Sequence, residues 1–217
     1  MKRLAIAVLI SGRGTNLQAL IDACADPDFP ASIACVISNR PDAHGLQRAR
    51  NANIPTRVVN HKEYETREAF EEALDEAVRE FDVGLVCLAG FMRILTPAFV
   101  NRWRDRMINI HPSLLPAFRG LHTHERVIEA GVRITGCTVH YVTPEMDDGP
   151  IIIQAAVPVR EDDSAEELAE RVLMMEHKIY PEAVRLVALG KVRVAGTKVA
   201  TEDAVFADNN LINPVAE

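Results

Sequence analysis

The most constraining feature of this sequence is the alternation of short apolar runs with segments patterned as helices. Leu4–Ile10 is almost wholly apolar, and the segment after it, 16–25, carries apolar residues at helical spacing. A second long helical pattern over 63–80 leads into the apolar run 83–89. Strands that are apolar throughout, with helices between them, favour a parallel sheet covered on both faces. We therefore predict an α/β fold: an open, mostly parallel, Rossmann-like sheet flanked by helices.

The C-terminal half has a different pattern. The apolar runs 135–142 and 151–159 are joined by TPEMDDGP, a turn-forming stretch, and so predict an antiparallel hairpin. Ser164 followed by Glu167 has the spacing of a helical capping box, and Gly190 is a typical helix terminator.

Charge and composition limit the classes of partner. The chain has 217 residues, with 24 Lys and Arg against 31 Asp and Glu, a formal net charge of −7. This balance disfavours a nucleic-acid partner. The four cysteines are widely separated, and the apolar run at the start ends at Gly12 without the pattern of a signal-peptide cleavage site. We expect a cytoplasmic protein that binds neither nucleic acid nor membrane, and the sequence leaves its oligomeric state unknown.

The first candidate for binding chemistry is SGRGTN, residues 11–16, directly after the first predicted strand. Backbone N–H groups at a helix N-terminus bind phosphate, and glycines allow the close approach that this requires. A tight turn that uses glycine for backbone reasons alone remains an alternative. A dinucleotide site is disfavoured, because Leu17 stands where the third glycine of that motif would be.

A second candidate is the pair Asn109 and His111, at the end of a predicted strand. Side chains two residues apart on a strand point the same way, and ligand crevices lie at the carboxyl ends of such strands. An asparagine amide can donate to an oxyanion, and a histidine can move a proton near neutral pH. The pair therefore fits acyl chemistry, although, taken alone, the motif fits a histidine with only a structural role better.

Asp147, in the turn 147–150, is the third candidate, because a carboxylate beside His111 would favour and orient the charged imidazole. Turn formation explains the same residues equally well. A metal site at His122, His124 and His140 is disfavoured, because no carboxylate or thiol stands at a familiar ligand spacing. We predict that no metal is used.

Five segments together resemble the phosphoribosylglycinamide formyltransferase family, the folate-dependent enzymes of purine biosynthesis. They are ISGRGTNLQALIDA at 10–23, LAGFMRILTPAFV at 88–100, INIHPSLLPAFRGLHTH at 108–124, TVHYVTPEMDDGPIIIQ at 138–154 and EHKIYP at 176–181. The resemblance covers most of residues 4–190. It implies the formyltransferase fold and transfer of a formyl group from 10-formyltetrahydrofolate, as cosubstrate, to the amine of glycinamide ribonucleotide. No metal is implied.

The resemblance also implies roles for individual residues. The ribonucleotide would be bound at its phosphate and ribose by Gly14, Thr15, Asn16 and Glu176. The folate would be bound by Arg67, Met92, Arg93, Ile94, Leu95 and Asn109. The catalytic residues would be Asn109, His111 and Asp147. Because Asp148 is also a carboxylate, the catalytic role could be assigned to either of the two adjacent residues. The register of the motif favours Asp147.

We expect one formyltransferase domain over 1–190, with 1–100 binding the nucleotide phosphate and 101–190 completing the catalytic and folate site. Residues 191–217 would be a C-terminal extension with a short hairpin at 192–194 and 198–200.

Three alternatives share these motifs. They are a formyltetrahydrofolate hydrolase, a formyltransferase with another acceptor such as methionyl-tRNA, and a binding module without activity. The hydrolase and the tRNA enzyme would be expected to carry an additional domain, for which this chain has no room.

Overall fold

The computed structural model of the protein describes residues 2–202 together with Leu211 and Asn213. The strands are β1 (Leu4–Ile10), β2 (Ala31–Ser38), β3 (Thr56–Val58), β4 (Leu85–Leu88), β5 (Met107–His111), β6 (Ile134–Tyr141), β7 (Ile151–Pro158), β8 (Val192–Ala195) and β9 (Lys198–Thr201). The helices are α1 (Thr15–Ala25), α2 (Gly45–Asn51), α3 (Arg67–Arg79), α4 (Pro97–Arg102), α5 (Thr123–Glu129) and α6 (Ala165–Ala188).

Seven strands form the main sheet, in the order β3-β2-β1-β4-β5-β6-β7. The first five strands along the chain pair in parallel, whereas β6 pairs antiparallel with both β5 and β7. The predicted fold class, a mostly parallel sheet with an antiparallel hairpin in the C-terminal half, is confirmed. Among the described helices, none is long and apolar enough to cross a membrane.

Both faces of the sheet are covered, which explains the continuous apolar runs. In β1, Ile6 and Val8 pack on one face against α1, α2 and α6, while Ala7 and Leu9 pack on the other against α3 and α4. All four side chains are fully buried. A strand with two buried faces has no position left for a polar side chain.

The helix boundaries differ from the predicted ones where polar side chains form caps. Residues 63–80 were expected to form one helix, but α3 starts at Arg67 because the Thr66 hydroxyl accepts a hydrogen bond from Ala69 N at 3.1 Å. The capping box of Ser164 and Glu167 is present at the start of α6, as predicted. The helices α4 and α5 were not predicted, since six and seven residues are too few for a clear period.

The C-terminal hairpin predicted at 192–194 and 198–200 is formed by β8 and β9, which pair as a separate two-stranded sheet. Most of the remaining extension, 203–217, lies outside the described residues. The division of 1–190 into nucleotide and folate parts stays a prediction.

The strand order reverses between β1 and β4. From β1 the chain adds β2 and β3 on one side, and then crosses to place β4 on the other. In open α/β sheets, ligands bind at the carboxyl ends of the strands at such a switch point. Here that point lies between Ser11, after β1, and Gly90, after β4, whose backbones are joined by a hydrogen bond of 3.1 Å.

Candidate active site

The predicted catalytic residues Asn109 and His111 lie within the last three residues of β5. The antiparallel partner β6 places His140 opposite Asn109 and Thr138 opposite His111. Because residues two apart share a face of a strand, these four side chains form one polar cluster at the carboxyl end of β5. His111, His140 and Thr138 are buried, and Asn109 is half-buried.

Asp147 reaches this cluster from the turn between β6 and β7. Its Oδ2 accepts a hydrogen bond from Gly120 N at 2.8 Å and lies 3.5 Å from His111 Nδ1. The turn approaches β6 so closely that a Cβ on Gly149 would lie 1.7 Å from Tyr141 O, so glycine is required there. Asp147 itself has φ 52°, a left-handed conformation that aspartate tolerates better than most residues.

Both ring nitrogens of His111 lie close to oxygen atoms of other residues. Its Nδ1 faces the Asp147 carboxylate, and its Nε2 lies 3.0 Å from the carbonyl oxygen of Phe118. Both ring nitrogens thus face oxygen acceptors, and only a doubly protonated ring can donate to both. The neighbouring Asp148 points elsewhere and pairs with Arg119 on the surface. Geometry therefore places Asp147, and not Asp148, beside His111.

His140 is held in the opposite state. Burial lowers the pKa of its imidazole, so the neutral ring is favoured. Its Nδ1 lies 2.9 Å from Tyr141 O and donates to it, which leaves Nε2 to accept from Asn109 Nδ2 at 3.3 Å. The 3.9 Å separation between His140 Nε2 and Asp147 Oδ1 is therefore not an ion pair. Within the described residues, the second N–H of the Asn109 amide has no hydrogen-bond partner, so it is available to a ligand.

The loop between β5 and α5, which lacks any sequence period, is tied to the sheet by side chains. Thr138 Oγ1 donates to Ser113 O at 2.7 Å and accepts from Leu115 N at 3.1 Å. Gln154 Nε2 donates to Leu115 O at 3.0 Å. This loop carries the backbone groups that bind His111 and Asp147, so Thr138 orders the site without reaching its centre.

The predicted ribonucleotide residues meet at the start of α1. Gly14 precedes the helix with φ 70° and packs so tightly on α2 that a Cβ would lie 2.7 Å from Gly45 Cα. Thr15 opens the helix, and its neighbour Asn16 donates from Nδ2 to Glu176 Oε2 at 2.6 Å. Burial raises the pKa of the Glu176 carboxyl. The structure thus brings Gly14, Thr15, Asn16 and Glu176 into one place.

The predicted folate segment, 92–95, follows β4 across the switch point. Met92 and Ile94 are 65% and 64% exposed, which is unusual for large apolar side chains, while Leu95 is buried and Arg93 half-buried. Beside a crevice, exposed apolar side chains of this kind suit a flat ring as ligand.

Arg67 stands apart from that segment. It is the first residue of α3 and is exposed. Within the described residues it makes no hydrogen bond or ion pair with the other predicted site residues. One turn further along the helix, Glu71 is buried and its Oε1 accepts from Thr96 N at 2.7 Å, which anchors the end of the folate segment. Arg67 is therefore linked to the folate segment only indirectly, because it lies on the same helix, α3, as the Glu71 that binds Thr96.

Several polar residues near the site were missed by reasoning from the sequence. Asn39, at the end of β2, is 2% exposed and bonds to Ser11 and to His61. Its position at a strand end is the signal in the sequence that points to it. Glu71 lay hidden among the glutamates of α3. Within the described residues, no group of three or more His, Cys, Asp and Glu side chains is placed to hold a metal ion.

Comparison with known proteins gives the same picture. A family model described as formyl transferase matches residues 4–184. The phosphoribosylglycinamide formyltransferase of Escherichia coli is 44% identical over 209 residues, which cover 96% of each chain. The trifunctional purine biosynthetic protein adenosine-3 of Bos taurus is 55% identical over 193 residues, 89% of this chain. The chain spans about a fifth of the length of that larger relative, 19%.

The solved structures agree with the sequence comparison. Glycinamide ribonucleotide transformylase 1 from Symbiobacterium toebii superposes with a TM-score of 0.90 at 49% identity, covering 93% of this chain and 95% of the other. The resemblance predicted from the sequence is thereby confirmed, and the chain belongs to the formyl transferase family.

Proposed function

We propose that the protein transfers the formyl group of 10-formyltetrahydrofolate to the amine of glycinamide ribonucleotide, yielding formylglycinamide ribonucleotide and tetrahydrofolate in purine biosynthesis. The observation that carries the proposal is the cluster at the end of β5. There the side chains of Asn109 and His111 lie on one face, with Asp147 beside the imidazole, and one Asn109 N–H has no partner in the described part of the chain. Relatives named for this activity support the acceptor and the pathway.

The chemistry assigned to the cluster is attack of the amine on the formyl carbon. A C–N bond forms, and the electron pair of the carbonyl moves to the formyl oxygen. Asn109 donates a hydrogen bond to that oxyanion, and the charged His111 stabilises it. The intermediate then expels N10 of the folate, which gains a proton as the attacking nitrogen loses one. His111 moves that proton, so no net proton is consumed.

Asp147 stabilises the imidazolium and orients it, while the neutral His140 orients the Asn109 amide. Asp147 acts on His111, because its carboxylate lies 3.5 Å from the His111 ring. His140 acts on Asn109, because its ring accepts a hydrogen bond from the Asn109 amide at 3.3 Å. Neither step requires a metal.

The two substrates approach from the two sides of the switch point. The N-terminus of α1, with Gly14, Thr15 and Asn16, binds the phosphate, because helix N–H groups and the helix dipole favour an anion. Glu176 binds the ribose hydroxyls. Residues 92–95 form the wall of the pterin pocket, and Arg67 at the exposed start of α3 binds the folate further out.

Formyl transfer by the purified protein tests the proposal. The assay supplies 10-formyltetrahydrofolate and glycinamide ribonucleotide, with a control that lacks the ribonucleotide, and compares wild type with Asn109→Ala. We expect product only in the complete reaction, and a loss of roughly 10²–10³ in turnover for the variant, as is usual for one oxyanion donor.

Other results would point to other functions. Release of formate without the ribonucleotide would identify a formyltetrahydrofolate hydrolase. Binding of both substrates without turnover would identify a binding module. Turnover with another amine in place of the ribonucleotide would identify a formyltransferase of different acceptor.

A further inference from the structure

Ser11 lies at the switch point and bonds to both halves of the sheet. Its backbone N–H donates to Gly90 O at 3.1 Å, and its hydroxyl oxygen accepts from Met92 N at 2.7 Å. On the other side, the hydroxyl donates to Asn39 Oδ1 at 2.6 Å. Ser11 is 4% exposed, so water does not compete for these bonds. Ser11 is the first residue of the candidate phosphate-binding stretch 11–16, and the proposed folate segment begins at Met92.

The direction of each hydrogen bond follows from the donors available. The amide of Met92 can only donate, so the Ser11 oxygen accepts from it and directs its single hydrogen to Asn39. Asn39 is held in turn by His61, whose Nδ1 lies 2.9 Å from Asn39 O. His61 packs edge-on against Phe70 of α3, with ring centroids 6.4 Å apart. A continuous chain of contacts thus runs from α3 to Met92.

Within the described residues, the start of the folate segment has little besides Ser11 to hold it in place. Met92 and Ile94 expose most of their side chains, so their packing contributes little. Leu95 is buried in the core, and Thr96 after it is fixed by Glu71. The segment is therefore held at its start by Ser11 and at its end by Leu95 and Glu71.

We propose that Ser11 is a positioning residue for the folate: its hydroxyl fixes the segment 92–95 against the loop that binds the ribonucleotide. The inference rests on the proposed function for the identity of the two ligands. Removal of the hydroxyl leaves the amide of Met92 without its acceptor in a buried place, and the segment then samples other positions. Bound folate must restore the order, so folate affinity falls while the catalytic cluster on β5 stays intact.

The test compares Ser11→Ala with Ser38→Ala. Ser38 is a matched control because it is also fully buried at the end of a strand and also makes two hydrogen bonds, both to the backbone of Arg40, at 2.8 and 3.0 Å. We expect Ser11→Ala to raise the KM for 10-formyltetrahydrofolate about 10-fold, the size typical of an abandoned buried donor, with kcat within about 3-fold of wild type. Ser38→Ala should change that KM less than about 2-fold, because its bonds stay within its own turn.

Equal folate KM values for the two variants would overturn the inference, as would a change in kcat alone. If Ser11→Ala does not fold, Asn39→Ala replaces it. This variant leaves the Ser11 oxygen but removes the group that orients it, and an unchanged folate KM would again overturn the inference. Should wild type show no formyl transfer, the proposed function fails by itself. Calorimetric titration of the same variants with tetrahydrofolate then decides about Ser11, and equal dissociation constants would overturn its role.

Discussion

Replacing Asp147 by asparagine isolates the charge that faces His111. The two side chains have nearly the same shape, and the asparagine oxygen can still accept from Gly120 N, as Asp147 Oδ2 does at 2.8 Å. The turn and its left-handed conformation at 147 are also retained, since asparagine tolerates this region as aspartate does. What disappears is the attraction between the carboxylate and the charged imidazole.

The size of that attraction follows from the geometry. Two unit charges 3.5 Å apart attract by roughly 5 kcal/mol at an effective dielectric constant of about 20. The amide dipole of asparagine retains part of this attraction, so the transition state, in which the ring carries the proton, loses about 3–4 kcal/mol of stabilisation. At about 1.4 kcal/mol for each factor of ten, we expect kcat to fall roughly 10²–10³-fold.

The assay is steady-state formyl transfer with both substrates saturating, and the matched control is Asp148→Asn. Asp148 is the adjacent carboxylate, but it pairs with Arg119 on the surface, and exposed pairs contribute little. Its removal should leave kcat within about 3-fold of wild type. If Asp148→Asn were the more damaged variant, or if Asp147→Asn kept wild-type kcat, the proposed role of Asp147 beside His111 would be refuted.

Three further predictions concern the buried titratable groups. Burial raises the pKa of Glu176 above the ordinary value of about 4.3, so wild type loses stability as pH rises through the native pKa. We therefore expect Glu176→Gln to be more stable than wild type at pH 8, as measured by urea unfolding. Equal stability of the two proteins at that pH would contradict this. Burial lowers the pKa of His140, so below about pH 6.5 the unfolded state binds a proton that the native state does not bind. This group should therefore lower the stability of wild type as pH falls below about 6.5. Unfolding curves of His140→Gln should lack that pH-dependent loss. Burial also raises the pKa values of three thiols, that of Cys24 to about 11 and those of Cys35 and Cys137 to about 12. At pH 8, iodoacetamide should therefore alkylate these thiols far more slowly in native than in unfolded protein, as followed by mass spectrometry.

The fold and the position of the candidate site could be predicted because each left a local pattern. Strands buried on both faces read as unbroken apolar runs, and the glycine-rich turn after β1 and the histidine at the end of β5 stand where such sheets bind ligands. Helices α4 and α5 left no pattern, because their six and seven residues do not complete a recognisable period. That Asp147, rather than Asp148, lies beside His111 depends on the left-handed conformation of Asp147 and on the close approach of Gly149 to Tyr141. Composition shows neither of these features.

The sequence by itself determined the α/β class, the antiparallel hairpin and the shared strand face of Asn109 and His111, since periodicity and turn residues are properties of neighbouring positions. The family resemblance added Asp147 to that site. Only the tertiary structure decided the hydrogen-bond partners of the histidines and the connections between distant residues. His111 faces two acceptors and His140 faces a donor, although both are histidines on adjacent strands. Ser11 bonds to Met92, 81 residues away, and Asn16 bonds to Glu176, 160 residues away. Such bonds depend on which strands and helices the fold brings together, and that arrangement is set by packing of the whole chain.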